Sequence, residues 1–219
     1  VITIKETKLM KIEIWSDVVC PFCYIGKRHL EKALEQLPEI DAEITWKSFE
    51  LDPNAPVNSE LDIYDTLAKK YGHDREWAKQ MNADMVQMAE KAGLKYDMDS
   101  VQPTNSFDAH QLIHLAKEFD KQDEMKEALL KAYFTEGKHI GDPEVLTDIA
   151  KTIGIDSEKA LQTIENNTYS NKVMEDVEQA HRLGVQGVPF FYIDEKYGLS
   201  GAQPVEAFVE AFTKINAEK

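Results

Sequence analysis

Residues Ser16–Arg28 read SDVVCPFCYIGKR, and Cys20 and Cys23 within this stretch are the only two cysteines of the 219-residue chain. The residues just before it, KIEIW (Lys11–Trp15), alternate polar and apolar and read as a strand. Pro21 suits the first turn of a helix, where its missing N–H would have had no partner anyway. Gly26, Leu30, Ala33, Leu34 and Leu37 then fall on one helical face, and Pro38 ends that helix. A C-x-x-C pair at a strand-to-helix junction is the setting in which such a pair carries redox chemistry.

Working outward, Ala42–Leu51 (AEITWKSFEL) alternates again and predicts a second strand. The next strand-like run, Pro189–Ile193 (PFFYI), follows only after about 135 residues, whereas a crossover needs a dozen or slightly more. The intervening sequence breaks into helical segments closed by Gly, Asn or a following Pro. One of them opens DPEVL, an Asp cap with Pro in the first turn. The last segment, Tyr169–Leu183, supplies the crossover back to the sheet. KYGLSGAQ after PFFYI predicts a short strand, and Pro204 opens a closing amphipathic helix. The order matches an α/β, thioredoxin-like fold with an inserted all-helical domain. The expected division is 10–59 with 167–219 as the thioredoxin-like domain and 60–166 as the helical insert. Residues 1–9 read as a leader or an appended remnant.

A net charge of −15 argues against nucleic acid, whose phosphates need a basic face, and against an anionic membrane surface. No apolar run approaches the ~18–20 residues of a membrane span. The first residues do not resemble a secretion signal, so a cytoplasmic location is expected. Two cysteines are too few for a disulfide scaffold. A tetrahedral zinc site takes four Cys or His ligands, and no histidine pair stands near the cysteines at finger spacing. Neither a metal nor a cofactor is expected.

The dithiol's position carries its chemistry. Free backbone N–H groups and the helix dipole favour an anion at a helix N-terminus. Cys20 stands there and is expected to be the thiolate that attacks. Cys23, almost one turn further in, is more shielded and is expected to resolve the mixed disulfide. The second signal is GVQGVPFFYI (Gly184–Ile193). In a thioredoxin-type layout a Val-Pro at this place is a cis peptide facing the dithiol. That arrangement leaves the Val188 backbone beside Cys20, able to pair with an extended substrate segment. The plainer reading of Pro189 is a strand-edge proline.

Taken together, KIEIWSDVVCPFCYIGKRHLEKAL, NSFDAHQLIHLAKEF and GVQGVPFFYID…GAQPVEAF resemble the DsbA-like oxidoreductases of the FrnE group, and the match runs from Met10 onward. The resemblance implies thiol–disulfide oxidoreductase activity with Cys20, Cys23 and Pro189 as catalytic residues. Pro21, Phe22, Val188 and Asn105 would line the substrate site. The implied partners are protein or peptide thiols and disulfides, with glutathione as a small-thiol candidate. Relatives of this architecture are sometimes dimers, so a homodimer is among the expectations. Some FrnE-type relatives have a second cysteine pair; this chain has none. The architecture is shared with kappa-type glutathione transferases and hydroxychromene carboxylate isomerases. These typically carry serine where this sequence has Cys20, and they bind glutathione. They are the rival reading, which retention of both thiols disfavours.

Other polar residues carry weaker expectations. Asp17 either takes a proton during exchange or caps the turn before the dithiol, the cap being the favoured reading, and Ser16 has the same local options. Phe22 lies where strongly oxidising members have a histidine, so it offers the Cys20 thiolate no charge. Asn105, Ser106, Asp108, His110 and His114 form a polar cluster; the resemblance sets it over the dithiol, while the alternative is that it caps and packs the insert. His110 and His114, four apart, share a face that can hold a metal. Trp15, Trp46, Phe49 and the helically spaced Met81, Met85 and Met88 read as core.

Overall fold

A computed structural model describes residues 8–219. The leader expected over 1–9 therefore lies mostly outside the described residues. Lys8 and Leu9 already belong to the first strand, β1 (Lys8–Ser16), paired with Ile40 and Asp41. The strand starts before the apolar alternation because ladder pairing is made by backbone and needs no apolar side chain there.

After β1 come α1 (Pro21–Glu35) and β2 (Ile40–Ser48), then six helices: α2 (Ile63–Tyr71), α3 (Arg75–Ala92), α4 (Phe107–Lys117), α5 (Gln122–Phe134), α6 (Pro143–Thr152) and α7 (Ser157–Glu165). The chain closes with α8 (Ser170–Arg182), β3 (Phe190–Ile193), β4 (Tyr197–Ser200) and α9 (Val205–Ala217). β2 starts two residues earlier than its alternation indicates and stops at Ser48, because Glu50 and Leu51 turn away toward the dithiol. The sheet order is β2-β1-β3-β4, with β1 and β2 parallel and β3 antiparallel to both its neighbours. This is the thioredoxin-like topology expected from the order of elements.

Strand alternation sends Met10, Ile12 and Ile14 to one face, where they join the main core with Phe191, Phe208 and Phe212 beneath α1 and α9. Trp15 points the other way, against Ala180 of α8, with Phe49 and Val185. Burial of these rings supplies much of the folding free energy, roughly 1.5–3 kcal/mol for each large apolar side chain. The edge of β2 is closed by a side chain. Gln122 Oε1 accepts from the Trp46 N–H at 2.8 Å, and Gln122 Nε2 donates to the Trp46 carbonyl at 3.0 Å. Pairing an exposed strand edge in this way blocks addition of a foreign strand. It also seats α5 beside the sheet. Among the described residues no helix is long and apolar enough to cross a membrane.

Candidate active site

Cys20 is the N-cap of α1, with extended backbone (φ −96°, ψ 113°) and Pro21 following inside the first turn. No side chain caps this end; the Cys23 N–H donates to the Cys20 carbonyl at 3.1 Å. Both cysteines are reduced and buried. Opposite them the Val188–Pro189 peptide is cis, as expected for a thioredoxin-type layout. The Cys20 thiol donates to the Val188 carbonyl oxygen at 3.6 Å. Gly26 lets Pro189 approach this closely: a Cβ on it would stand 2.9 Å from Pro189 Cγ.

Two further contacts hold the dithiol turn. The Tyr96 hydroxyl donates to the Pro21 carbonyl at 2.6 Å, and the Tyr96 ring stacks between Tyr24 and Phe134. Asp17, fully buried, accepts from the Leu51 N–H at 2.8 Å and faces His110 Nε2 at 3.2 Å. The expectation of a local cap is therefore corrected: the Val19 N–H only reaches Asp17 at 3.5 Å, and the strong partners come from distant segments. Against burial, which raises it, the hydrogen bond from His110, helped by that from the Leu51 N–H, holds the Asp17 carboxyl below the usual carboxylate range. Burial pushes His110 down. Its Nδ1 has no hydrogen-bond partner among the described residues, as fits a neutral ring donating from Nε2.

The two histidines of α4 do not share a site. His114 Nε2 lies 3.0 Å from Asp176 Oδ2 and 3.2 Å from Ser48 Oγ, tying α4 to α8 and β2. Among the described residues no group of three or more His, Cys, Asp or Glu side chains could hold a metal. Asn105 accepts from the Phe107 N–H at 2.9 Å and donates to the carbonyls of Pro53 (3.2 Å) and Ala55 (3.1 Å). Its amide holds the 53–55 loop and does not line the cavity beside Cys20, because those two carbonyls face it first.

That cavity measures about 350 Å³. Cys20, Pro21, Phe22 and Val188 form one wall, while Ile63, Leu67 and Tyr71 of α2 with Met81 and Met85 of α3 form the other. Met85 lines the cavity and belongs to the core as expected, whereas Met81 is half-buried and lines the cavity without joining the core, and Met88 is 43% exposed. Exposed Leu51 and Tyr71 also line it.

The two thiols titrate as one unit. The hydrogen bond between the sulfurs, together with burial, pushes Cys20 well up. On Cys23 burial also raises the thiol, but the bond from Cys20 and the positive charge of Lys126 outweigh it and bring Cys23 down. Sequence reasoning missed Lys126 and Tyr96. A lysine within the apolar face Gln122–Lys126–Leu129–Tyr133 of α5 was the signal available for the first.

Residues 11–213 match the family model of the DSBA-like thioredoxin domain. The chain belongs to the DSBA-like thioredoxin domain family. Among solved structures this DSBA-like chain is similar to a probable DsbA oxidoreductase, SCO1869, from Streptomyces coelicolor, with 36% identity and a TM-score of 0.90 over 96% of this chain and 91% of that one. It is 30% identical to the uncharacterized protein YwbO of Bacillus subtilis over 95% of this chain and 98% of that one. It shares its fold with the cytosolic disulfide reductase DsbM from Pseudomonas aeruginosa with GSH, at 16% identity and a TM-score of 0.67 over 94% and 99% of the two chains.

Proposed function

We propose that this protein is a thiol–disulfide oxidoreductase whose Cys20 forms the mixed disulfide and whose Cys23 resolves it. The observation that carries the reading is the position of Cys20 at the uncapped start of α1, against the Val188 carbonyl and the cis Pro189. In the reducing direction, Cys20 attacks a substrate disulfide as thiolate, and one substrate sulfur leaves with the electron pair of the broken bond. Cys23 then attacks Cys20 Sγ, closes the Cys20–Cys23 disulfide and expels the second substrate sulfur. The oxidising direction is the same sequence reversed. Val188 and Pro189 shape the floor on which an extended segment lies, and Pro21 and Phe22 flank the attacked sulfur.

The cavity favours protein or peptide substrates. Its walls are mostly apolar, and Lys70 is the one cation among the described lining residues, with Asp52 also present. Glutathione brings two carboxylates, which such a lining pairs poorly. Glutathione therefore fits as a reductant of the disulfide better than as a held cofactor, and the kappa-transferase reading falls behind. The proposed division keeps 10–59 and 167–219 as the redox unit and 60–166 as the helical insert, which adds the second cavity wall. The proposed compartment is the cytoplasm. A single chain contains every residue this reading uses.

Cys23→Ser tests it: the variant is expected to accumulate a mixed disulfide that disappears when Cys20 is also replaced. Normal turnover by Cys23→Ser overturns the roles. A glutathione titration of Cys20→Ser is expected to show weak binding; tight binding with retained transfer activity would instead support the rival.

A further inference from the structure

Tyr96, in the segment between α3 and α4, reaches the dithiol turn from the helical insert. It is buried, and its hydroxyl donates to the Pro21 carbonyl at 2.6 Å. The bond is held from both sides. The Tyr96 ring stacks on Phe134 at 4.8 Å and on Tyr24 at 6.1 Å between centroids. Its chain neighbours are tied to the end of α5: the Asp97 N–H donates to the Phe134 carbonyl at 2.8 Å, and the Thr135 hydroxyl donates to the Lys95 carbonyl at 2.7 Å. A carbonyl has two lone pairs, and a helix uses one of them for the N–H four residues on. Pro21 opens α1, so its carbonyl has a ladder partner without Tyr96. The Tyr96 bond is an addition, and the peptide group that receives it is the one joining Pro21 to Phe22.

That same peptide carries the Phe22 N–H. Cys20 is the N-cap of α1 and Phe22 stands at its second position. An N-cap side chain accepts from the N–H of the second or third helical residue. The neutral Cys20 thiol makes no such bond and donates to the Val188 carbonyl instead. We propose that Tyr96 is a positioning residue for the Cys20 thiolate, its hydroxyl polarising the Pro21–Phe22 peptide so that the Phe22 N–H caps the charged sulfur more strongly. The inference rests on the exchange reading above and specifies what readies Cys20. The step concerned is the ionisation before attack: the S–H bond breaks, the proton goes to solvent, and the electron pair stays on Cys20 Sγ. A hydrogen bond received at one end of a peptide group strengthens the bond donated at the other. The capping bond exists only for the thiolate, so strengthening it favours ionisation. Burial, and then the Cys20 charge, hold the Tyr96 proton on the phenol well past its ordinary range. The hydroxyl therefore stays a donor while Cys20 titrates, and the insert reaches the redox centre through it.

The test is the pH profile of Cys20 alkylation on a Cys23→Ser background, where Cys20 is the only thiol. Tyr96→Phe keeps both ring stacks and removes only the hydroxyl. It is expected to make Cys20 about threefold less acidic. The other titratable groups whose charges act on Cys20 there, Asp17 of the β1–α1 loop and Lys126 of α5, are the same with and without the change. Tyr24→Phe is the control. Its hydroxyl serves Glu127 and Arg28, not Pro21, so the profile is expected to stay where it was. A folded Tyr96→Phe protein with unchanged Cys20 acidity, or an equal shift in Tyr24→Phe, overturns the proposal. If Tyr96→Phe does not fold, the Phe22 amide proton signal of the Cys23→Ser protein decides. It is expected to move downfield as Cys20 ionises, and a signal that stays constant overturns the proposal. Each of these failures leaves the exchange reading standing, because that reading stands or falls on the Cys23→Ser mixed disulfide.

Discussion

The Cys20 thiol meets the carbonyl oxygen of Val188 at 3.6 Å, across 168 positions of sequence. The helix that presents the sulfur and the strand entry that presents the carbonyl are held in register by the close approach of Gly26 to Pro189. The site is thus a junction between the first and last thirds of the chain, and its geometry depends on how tightly those two thirds pack.

Gly26→Ala probes that junction directly. The added methyl would stand 2.9 Å from Pro189 Cγ and 3.4 Å from Phe191 Cζ. Overpacking of this kind costs ~1–3 kcal/mol, offset by up to ~1 kcal/mol of improved helix propensity. A lower urea midpoint is expected, together with slower mixed-disulfide formation as Pro189 moves from Cys20. A variant as stable and as fast as wild type would refute the packing argument.

Asp17→Ala is expected to be among the most damaging single changes outside the dithiol. It strands the Leu51 N–H and removes the partner of His110, both in a dry interior. Leaving a buried neutral donor unsatisfied costs ~1–3 kcal/mol for each group. The Asp17 carboxyl is held below its ordinary value of 3.8 in the folded chain. Its contribution is therefore complete above that value and is lost as pH falls through the lower folded one. Urea melts run downward from neutral pH should show wild type losing stability at acid pH, with the part due to Asp17 absent from Asp17→Asn.

Glu50 gives the opposite slope. Burial, then the nearby Asp17 charge, raises it from 4.5 to about 7. The folded chain prefers the neutral acid, so this contribution is full below about 4.5 and is lost as pH rises through about 7. Because the group is half exposed, solvent screening limits the effect to ~1 kcal/mol or less. Glu50→Gln is expected to flatten this decline in a series of thermal melts across that range. An unchanged pH profile would show that Glu50 titrates normally.

Met81→Glu tests the cavity. A carboxylate in this wall opposes an apolar side chain of the substrate. The kcat/KM for a peptide disulfide with an apolar neighbour is expected to drop about tenfold more than that for a small uncharged disulfide, equivalent to ~1.4 kcal/mol. Equal losses for both substrates would place peptide binding elsewhere.

The local signals were legible because they are written in short spacings. KIEIW made a strand, Pro21 opened a helix, DPEVL gave a helix capped by Asp142, and the long gap between strand-like runs announced the helical segments. The dithiol at a helix start, and the proline that faces it, could be read the same way. Strand limits were less legible, since β1 and β2 extend wherever backbone pairing allows, regardless of side-chain pattern.

By itself, then, the sequence determined the elements, their order and the place of residues 20 and 23 at a helix start. Periodicity, capping and N-terminal dipoles act within a few residues, so they are visible in one dimension. Only the tertiary structure decided what surrounds those sulfurs: that Asp17 reaches Leu51 and His110, that His114 turns to Asp176, that Asn105 holds a loop, and that Lys126 lies buried beside Trp46. Charge interactions and desolvation depend on distances in space, and no spacing along the chain reveals which distant side chains a dry interior will bring together.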